Sequence, residues 1–152
     1  MKSINKGRLF AFAQFLLLSL MFIALYFRRL QTSSNILRFP GFALVVSGLI
    51  IGSWAVISYR QKITVNPYPL EDVKLRTGGI YGKIRHPMYF SVFLFVSGWC
   101  IYFFSLYSML FVLITLAFLI MKIRFEEKQL IEKFPQYQEY KNRTYTLIPF
   151  VY

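Results

Sequence analysis

Acidic residues are scarce here: six Asp and Glu stand against 18 Lys and Arg in 152 residues, a formal charge of +12. Cysteine is nearly absent as well. The single Cys100 excludes an intrachain disulfide and, lying in an apolar run, reads as a small filler. With one histidine and no cysteine pair, the chain lacks a metal-binding set of the usual kind, so no metal is expected. No internal repeat or low-complexity tract is visible. Polar surface is also short: 57% of residues are hydrophobic and 20% aromatic, with a mean hydropathy of +0.49. A soluble domain of this length cannot bury so much apolar material, which makes this a membrane protein by composition.

Charge is missing from long stretches, and those stretches define the organisation. Leu9 to Phe27 has Gln14 as its most polar residue. At about 1.5 Å per residue such a helix reaches across a hydrocarbon core of about 30 Å. The segment is too long for a signal-peptide core and no small-x-small site closes it, so it reads as a retained span. A second uncharged run, 42–59, follows Pro40-Gly41. Residues 60–87 turn polar, and Pro67, Pro69, Gly78, Gly79 and Gly82 break any long helix there. From Met88 to Met121 no charge occurs. One helix of that length, about 51 Å, would overshoot a bilayer, so two spans are expected, 88–104 and 106–122, with a turn near Ser105.

The reading is thus an all-α, polytopic membrane helix bundle with four transmembrane helices, forming a single membrane domain over 1–152. A helical extension, 123–152, follows the last span. This count leaves only Arg28, Arg29 and Arg38 on one side of the membrane, while every other cation and all the acids share the opposite side. By the positive-inside rule that side is cytoplasmic and carries both termini. The orientation signal accounts for most of the excess charge, so no nucleic-acid partner is expected.

Two polar clusters carry the chemistry. In GGIYGKIRHPMY, residues 78–89, Pro87 suits the first turn of a helix and holds His86 extended. Arg85 and His86 then flank a helix N-terminus, which favours an anion, and the glycines permit close backbone approach. The second cluster is Arg124, Glu126 and Glu127 at the end of the last span. Ile123, Leu130 and Phe134 mark one helical stripe with Glu127 close to it, and Tyr137 and Tyr140 share a face of a short helix that Pro135 begins. An apolar hairpin returns this cluster to the side that holds Arg85 and His86. A pocket with one cationic and one anionic wall suits a zwitterionic ligand.

GGIYGKIRHPMY, the apolar hairpin, and RFEEKQLIEKFPQYQEYKNRTYTLIPF together resemble the isoprenylcysteine carboxyl methyltransferase and phospholipid methyltransferase family of integral membrane enzymes. The resemblance spans roughly 78–150, with Ser91 and Pro135 standing where the family often has glycine. It implies S-adenosylmethionine as cofactor and a lipid-like acceptor drawn from the bilayer. Tyr81, Gly82, Arg85, His86, Pro87, Tyr89, Glu126, Glu127, Tyr137 and Tyr140 would form the cofactor site. His86, with Arg85 or the helix N-terminus, would hold the carboxylate, and Glu126 or Glu127 the ammonium. The tyrosines would wall the adenosyl group or face the sulfonium. Arg124 and Glu127 are the candidate catalytic residues, Arg124 positioning an acceptor carboxylate and a glutamate serving as base for an amine. A prenylated-cysteine carboxylate leads as acceptor, with a phospholipid amine as alternative. An NADPH-dependent membrane reductase and a non-enzymatic membrane subunit are the competing readings.

Overall fold

The computed structural model describes residues 2–28, 35–59, 75–104 and 106–149. Within them lie five α-helices: α1 (Lys2–Arg28), α2 (Asn35–Tyr59), α3 (Pro87–Tyr102), α4 (Leu106–Lys133) and α5 (Tyr137–Asn142). No strand occurs among the described residues, so the all-α expectation holds. The four long helices fall on the four uncharged runs. By length and composition, two of them can cross a membrane, Ile36–Tyr59 and Tyr107–Lys133, while Leu9–Ala24 and Pro87–Tyr102 are shorter apolar helices. Large side chains such as Phe12, Phe39, Ile57 and Leu113 are more than half exposed. In water such faces would be a liability, whereas lipid is their natural solvent.

Two boundaries differ from the sequence reading: α5 begins at Tyr137, after a turn at Pro135 and Gln136, rather than at Pro135 itself, and the start of α2 also moves. Helix α2 starts at Asn35, ahead of Pro40, rather than after Pro40-Gly41. Pro40 is the sixth helical residue, just past the four whose N–H groups have no intrahelical carbonyl, so it forfeits the one bond to the carbonyl of Ile36. The expected α3–α4 turn is found between Tyr102 and Leu106, and Ser105 itself lies outside the described residues. Of the polar loop, 60–74 also lies outside them. Its described end, 75–86, carries the short 3-10 turn Gly79–Gly82, with Gly79 at φ 64°.

The core is the α2–α3 pair, and glycine sets its spacing. A methyl on Gly98 would stand 2.7 Å from both the Gly41 carbonyl oxygen and the Val45 nitrogen, so the two backbones touch directly. Helix α4 packs on α3 as the second arm of the hairpin. Its buried residues, Ser108, Thr115, Leu119, Lys122, Ile123 and Glu127, repeat at helical spacing on one face. That phase decides which charges near its end turn inward.

Candidate active site

The hairpin brings the two polar clusters into contact. Arg85, buried just before α3, donates from Nε to Glu127 Oε1 of α4 at 2.7 Å. Its guanidinium reaches further into the chain's tail. Nη1 donates to the carbonyls of Lys141, at 2.8 Å, and Thr144, and Nη2 donates to Thr146 Oγ1 at 2.6 Å. A short parallel bridge backs this up: Arg85 N–H donates to Tyr145 O at 2.8 Å, and His86 N–H to Thr146 O at 3.1 Å. Arg85 is therefore a clasp on the tail, with its fork of donors nearly spent.

Glu127 is equally committed. Besides Arg85 it has Lys141 Nζ at 3.1 Å, His86 Nε2 at 3.5 Å and the Tyr137 hydroxyl at 3.4 Å. Glu126 is different. Residues adjacent on a helix point about 100° apart, so Glu126 faces away from the tail, where it accepts from the Tyr89 hydroxyl at 2.7 Å. Its side chain remains 24% exposed. His86 lies between the two acids, its Nδ1 3.8 Å from Glu126 Oε2, and its ring stacks on Tyr89 with centroids 5.4 Å apart. His86 Nε2 is buried and makes no well-aligned hydrogen bond, its neighbouring acceptor being Glu127 Oε1 at 3.5 Å. The imidazole thus bridges the two acids loosely.

The tyrosines close the walls. Tyr81 is buried against Ala55, with Tyr59 and Met88 beside it, and its ring sits 5.8 Å from that of Tyr59. Its carbonyl accepts from the Tyr140 hydroxyl at 2.6 Å, which ties α5 to the 3-10 turn. Tyr137 and Tyr140 meet edge to face at 5.7 Å, on the shared face that their spacing implied. Burial pushes all three phenols, Tyr81, Tyr137 and Tyr140, well above their ordinary pKa, so they act as neutral donors. Pro87 is buried at the first position of α3, as expected. Gly82 is exposed, and Gly79 rather than Gly82 takes the left-handed conformation.

Arg124 is the candidate that the structure does not bring in. It is exposed, about 100° around α4 from the buried Ile123. In its place the structure supplies residues that the sequence reading passed over. Lys141, Thr144 and Thr146 complete the clasp. Lys122, 1% exposed and one turn before Glu126, donates from Nζ to Gln14 Oε1 of α1 at 2.5 Å and lies 4.9 Å from the centre of the Tyr89 ring. Gln14, the most polar residue of the uncharged run Leu9 to Phe27, was the available signal for that pair. Arg76 and Tyr59 complete the surroundings of Tyr81.

This arrangement joins a half-open acid and a buried histidine at the end of a hairpin of apolar helices. The family model described as phospholipid methyltransferase matches residues 36–137, from the start of α2 to the first residue of α5. The chain belongs to the phospholipid methyltransferase family. No curated protein matches the chain significantly. The match of this phospholipid methyltransferase family member covers the α2–α3 core, Arg85-His86-Pro87 and both glutamates, while Tyr140, Lys141, Thr144 and Thr146 lie beyond it.

Proposed function

We propose that the protein transfers a methyl group from S-adenosylmethionine to a lipid-like acceptor at the membrane surface. The observation that carries this reading is the division of labour between paired neighbours. Arg85 and Glu127 consume each other, while Glu126 keeps an open edge and His86 is held only loosely, at 3.5 Å from Glu127 and 3.8 Å from Glu126. The fit to the cofactor's amino-acid end lies in these two groups: an imidazole N–H of His86 can turn to donate to a carboxylate, and the open edge of Glu126 can accept from an ammonium. Once bound, the cofactor would supply an electrophilic methyl on a sulfonium. The chain's own task is then to hold, orient and dry the site. Tyr59 and Tyr81 offer aromatic faces to a cationic group, whereas Tyr89 is already covered by His86 and Lys122.

Which acceptor the site suits follows from the cations that remain. A carboxylate acceptor loses the holder proposed for it, because Arg124 faces outward and Arg85 is spent on the tail. An amine acceptor requires no such cation; its proton has to leave before nitrogen attacks the methyl. This favours an amine headgroup over a prenylated-cysteine carboxylate. The four-span arrangement with cytoplasmic termini belongs to the same proposal, since it places the polar cluster at one membrane face.

Cofactor binding to the detergent-solubilised protein, measured by calorimetry, tests the reading. Wild type binds S-adenosylmethionine, and His86→Ala and Glu126→Gln each weaken it at least tenfold, about 1.4 kcal/mol. NADPH gives no heat. A folded wild type that ignores S-adenosylmethionine would end the proposal.

A further inference from the structure

The first helix reaches the site at one point. Phe10 of α1 packs on Phe118 and Phe125 of α4, with ring centroids 5.9 Å and 5.4 Å apart. Those two rings bracket Lys122 on α4, and Gln14 follows Phe10 by one turn on α1, so the aromatic contacts set Gln14 against Lys122. The lysine Nζ donates to Gln14 Oε1 at 2.5 Å and lies 4.9 Å from the centre of the Tyr89 ring. This cation is 1% exposed and has no part in the chemistry described so far. Yet it shares a helix face with Glu126, four residues further along α4, and the two charges are close enough to act on each other. They do not pair. Glu126 has His86 as its ion partner, at 3.8 Å, and its hydrogen bond, 2.7 Å long, comes from Tyr89. A buried ammonium is expensive to leave without a partner, so it is held by an acceptor within its reach. The choice between Gln14 on α1 and Glu126 on its own helix decides whether the site stays open.

We propose that Gln14 is a positioning residue: it parks the Lys122 ammonium against the Tyr89 ring and so keeps it off Glu126, whose open edge is left for the ligand's ammonium. The inference rests on the methyltransferase reading for the identity of that ligand. Released from Gln14, the lysine would satisfy itself at Glu126 as an i, i+4 pair and occupy the acceptor that the cofactor needs. Being on the same helix, it would compete as an intramolecular ligand, whose effective concentration no free cofactor matches easily. A glutamine suits the task because its amide oxygen accepts from the ammonium without adding a second charge beside the site. The family match begins at residue 36, so this control comes from a helix that lies ahead of it. Helix α1 has other anchors, Phe10 on α4 and the buried Met21 against Val96 and Cys100, and these hold it in place when residue 14 is changed.

Two measurements on the whole detergent-solubilised protein test this. A carbodiimide joins an amine to a carboxylate where the two touch, and mass spectrometry finds the bond. Wild type should show no Lys122–Glu126 bond, Gln14→Leu should form it, and Gln14→Glu, which still holds the lysine, should not. In calorimetry, Gln14→Leu should weaken S-adenosylmethionine roughly tenfold, as expected for the loss of one charge-assisted hydrogen bond, and leave the affinity for an analogue without the α-amino group as it was. Gln14→Glu, and Gln14→Leu combined with Lys122→Met, should each restore S-adenosylmethionine binding. A structural defect would weaken both ligands alike, and that result would overturn the proposal. So would a Lys122–Glu126 bond in wild type, or its absence from a folded Gln14→Leu. Should Gln14→Leu be recovered unfolded, Gln14→Asn, a methylene shorter and still polar, takes its place with the same expectations. Cross-linking requires no cofactor, so a wild type that ignores S-adenosylmethionine while the bonds form as described would refute the methyl transfer alone.

Discussion

Removing the Arg85 clasp should release the tail, and the size of the effect follows from its contacts. Arg85→Met deletes the ion pair to Glu127 at 2.7 Å and the donors to Lys141, Thr144 and Thr146, with both charged side chains less than a tenth exposed. Breaking a buried pair by removing one partner costs about 3–5 kcal/mol, because the other charge is stranded. Here Glu127 keeps Lys141 at 3.1 Å, and that lysine is 38% exposed, so the lower end, about 3 kcal/mol, applies. At about 1.4 kcal/mol per decade, the opened tail becomes roughly 150-fold more populated. Limited trypsinolysis after Lys141 and Arg143 reads this directly while reclosing outpaces cleavage. Arg85→Lys should fall between, since an ammonium cannot span the clasp's acceptors. Arg85→Met with Glu127→Leu should recover to within about tenfold of wild type, the stranded charge being gone. Wild-type cleavage in Arg85→Met, or a double variant cleaved as fast as the single one, would refute the clasp.

Other consequences are checked as readily. Gly98→Ala forces a methyl to 2.7 Å from the Gly41 oxygen and should cost about 1–3 kcal/mol in a thermal melt. Gly52→Ala meets the Ser91 side chain, Oγ at 3.0 Å and Cβ at 3.3 Å, with no backbone atom in the way, and should cost less. Gln14→Leu strands the buried Lys122, so it should lower stability more than Gln14→Leu combined with Lys122→Met. Tyr81, Tyr137 and Tyr140, raised by burial, should stay neutral where an ordinary phenol with pKa near about 10 ionises. For each, the folded pKa exceeds the unfolded one. Their contribution to stability is thus complete below about pH 10 and declines as pH rises toward the folded value. Tyr→Phe at any of the three should leave the phenolate absorbance at 295 nm near that pH unchanged.

The hairpin was legible because its signal is a negative one: an uncharged run too long for one span must fold back, and that alone joins Arg85 to Glu127. Pro87 and the Tyr137, Tyr140 pair were legible because each has a local steric or periodic signature. Arg124 was not, since its side of α4 depends on helical phase, and Lys122, Ile123, Arg124 and Glu127 all crowd within a turn and a half. The tail partners of Arg85 were invisible for a different reason. Thr144 and Thr146 belong to irregular backbone without periodicity, and they contact Arg85 across some sixty intervening positions. Arg76 hid among cations that the orientation rule already explained.

Two adjacent pairs, Arg85-His86 and Glu126-Glu127, are each split by backbone geometry, and the split shapes how any loss of activity is to be read. His86 precedes a proline with φ −121° and ψ 58°, which is outside the extended region expected before Pro87, and its ring and the Arg85 guanidinium leave the chain in different directions. One turns to the tail and the other to Tyr89. On α4 the 100° step does the same for the acids, sending Glu127 to the clasp and Glu126 to the open mouth. A dead variant at any of the four positions would look alike in a methylation assay. The mechanisms differ: losing Arg85 or Glu127 frees the tail and dismantles the walls built by Tyr137 and Tyr140, whereas losing His86 or Glu126 leaves the walls standing with nothing to hold the ligand's charged end. Tail proteolysis should therefore rise most for the first couple, rise slightly for His86→Ala, whose Nε2 lies 3.5 Å from Glu127 Oε1, and stay at the wild-type rate for Glu126→Gln. If Glu126→Gln opened the tail as far as Arg85→Met, the couples would be one network and the chemical role assigned to Glu126 would lose its support.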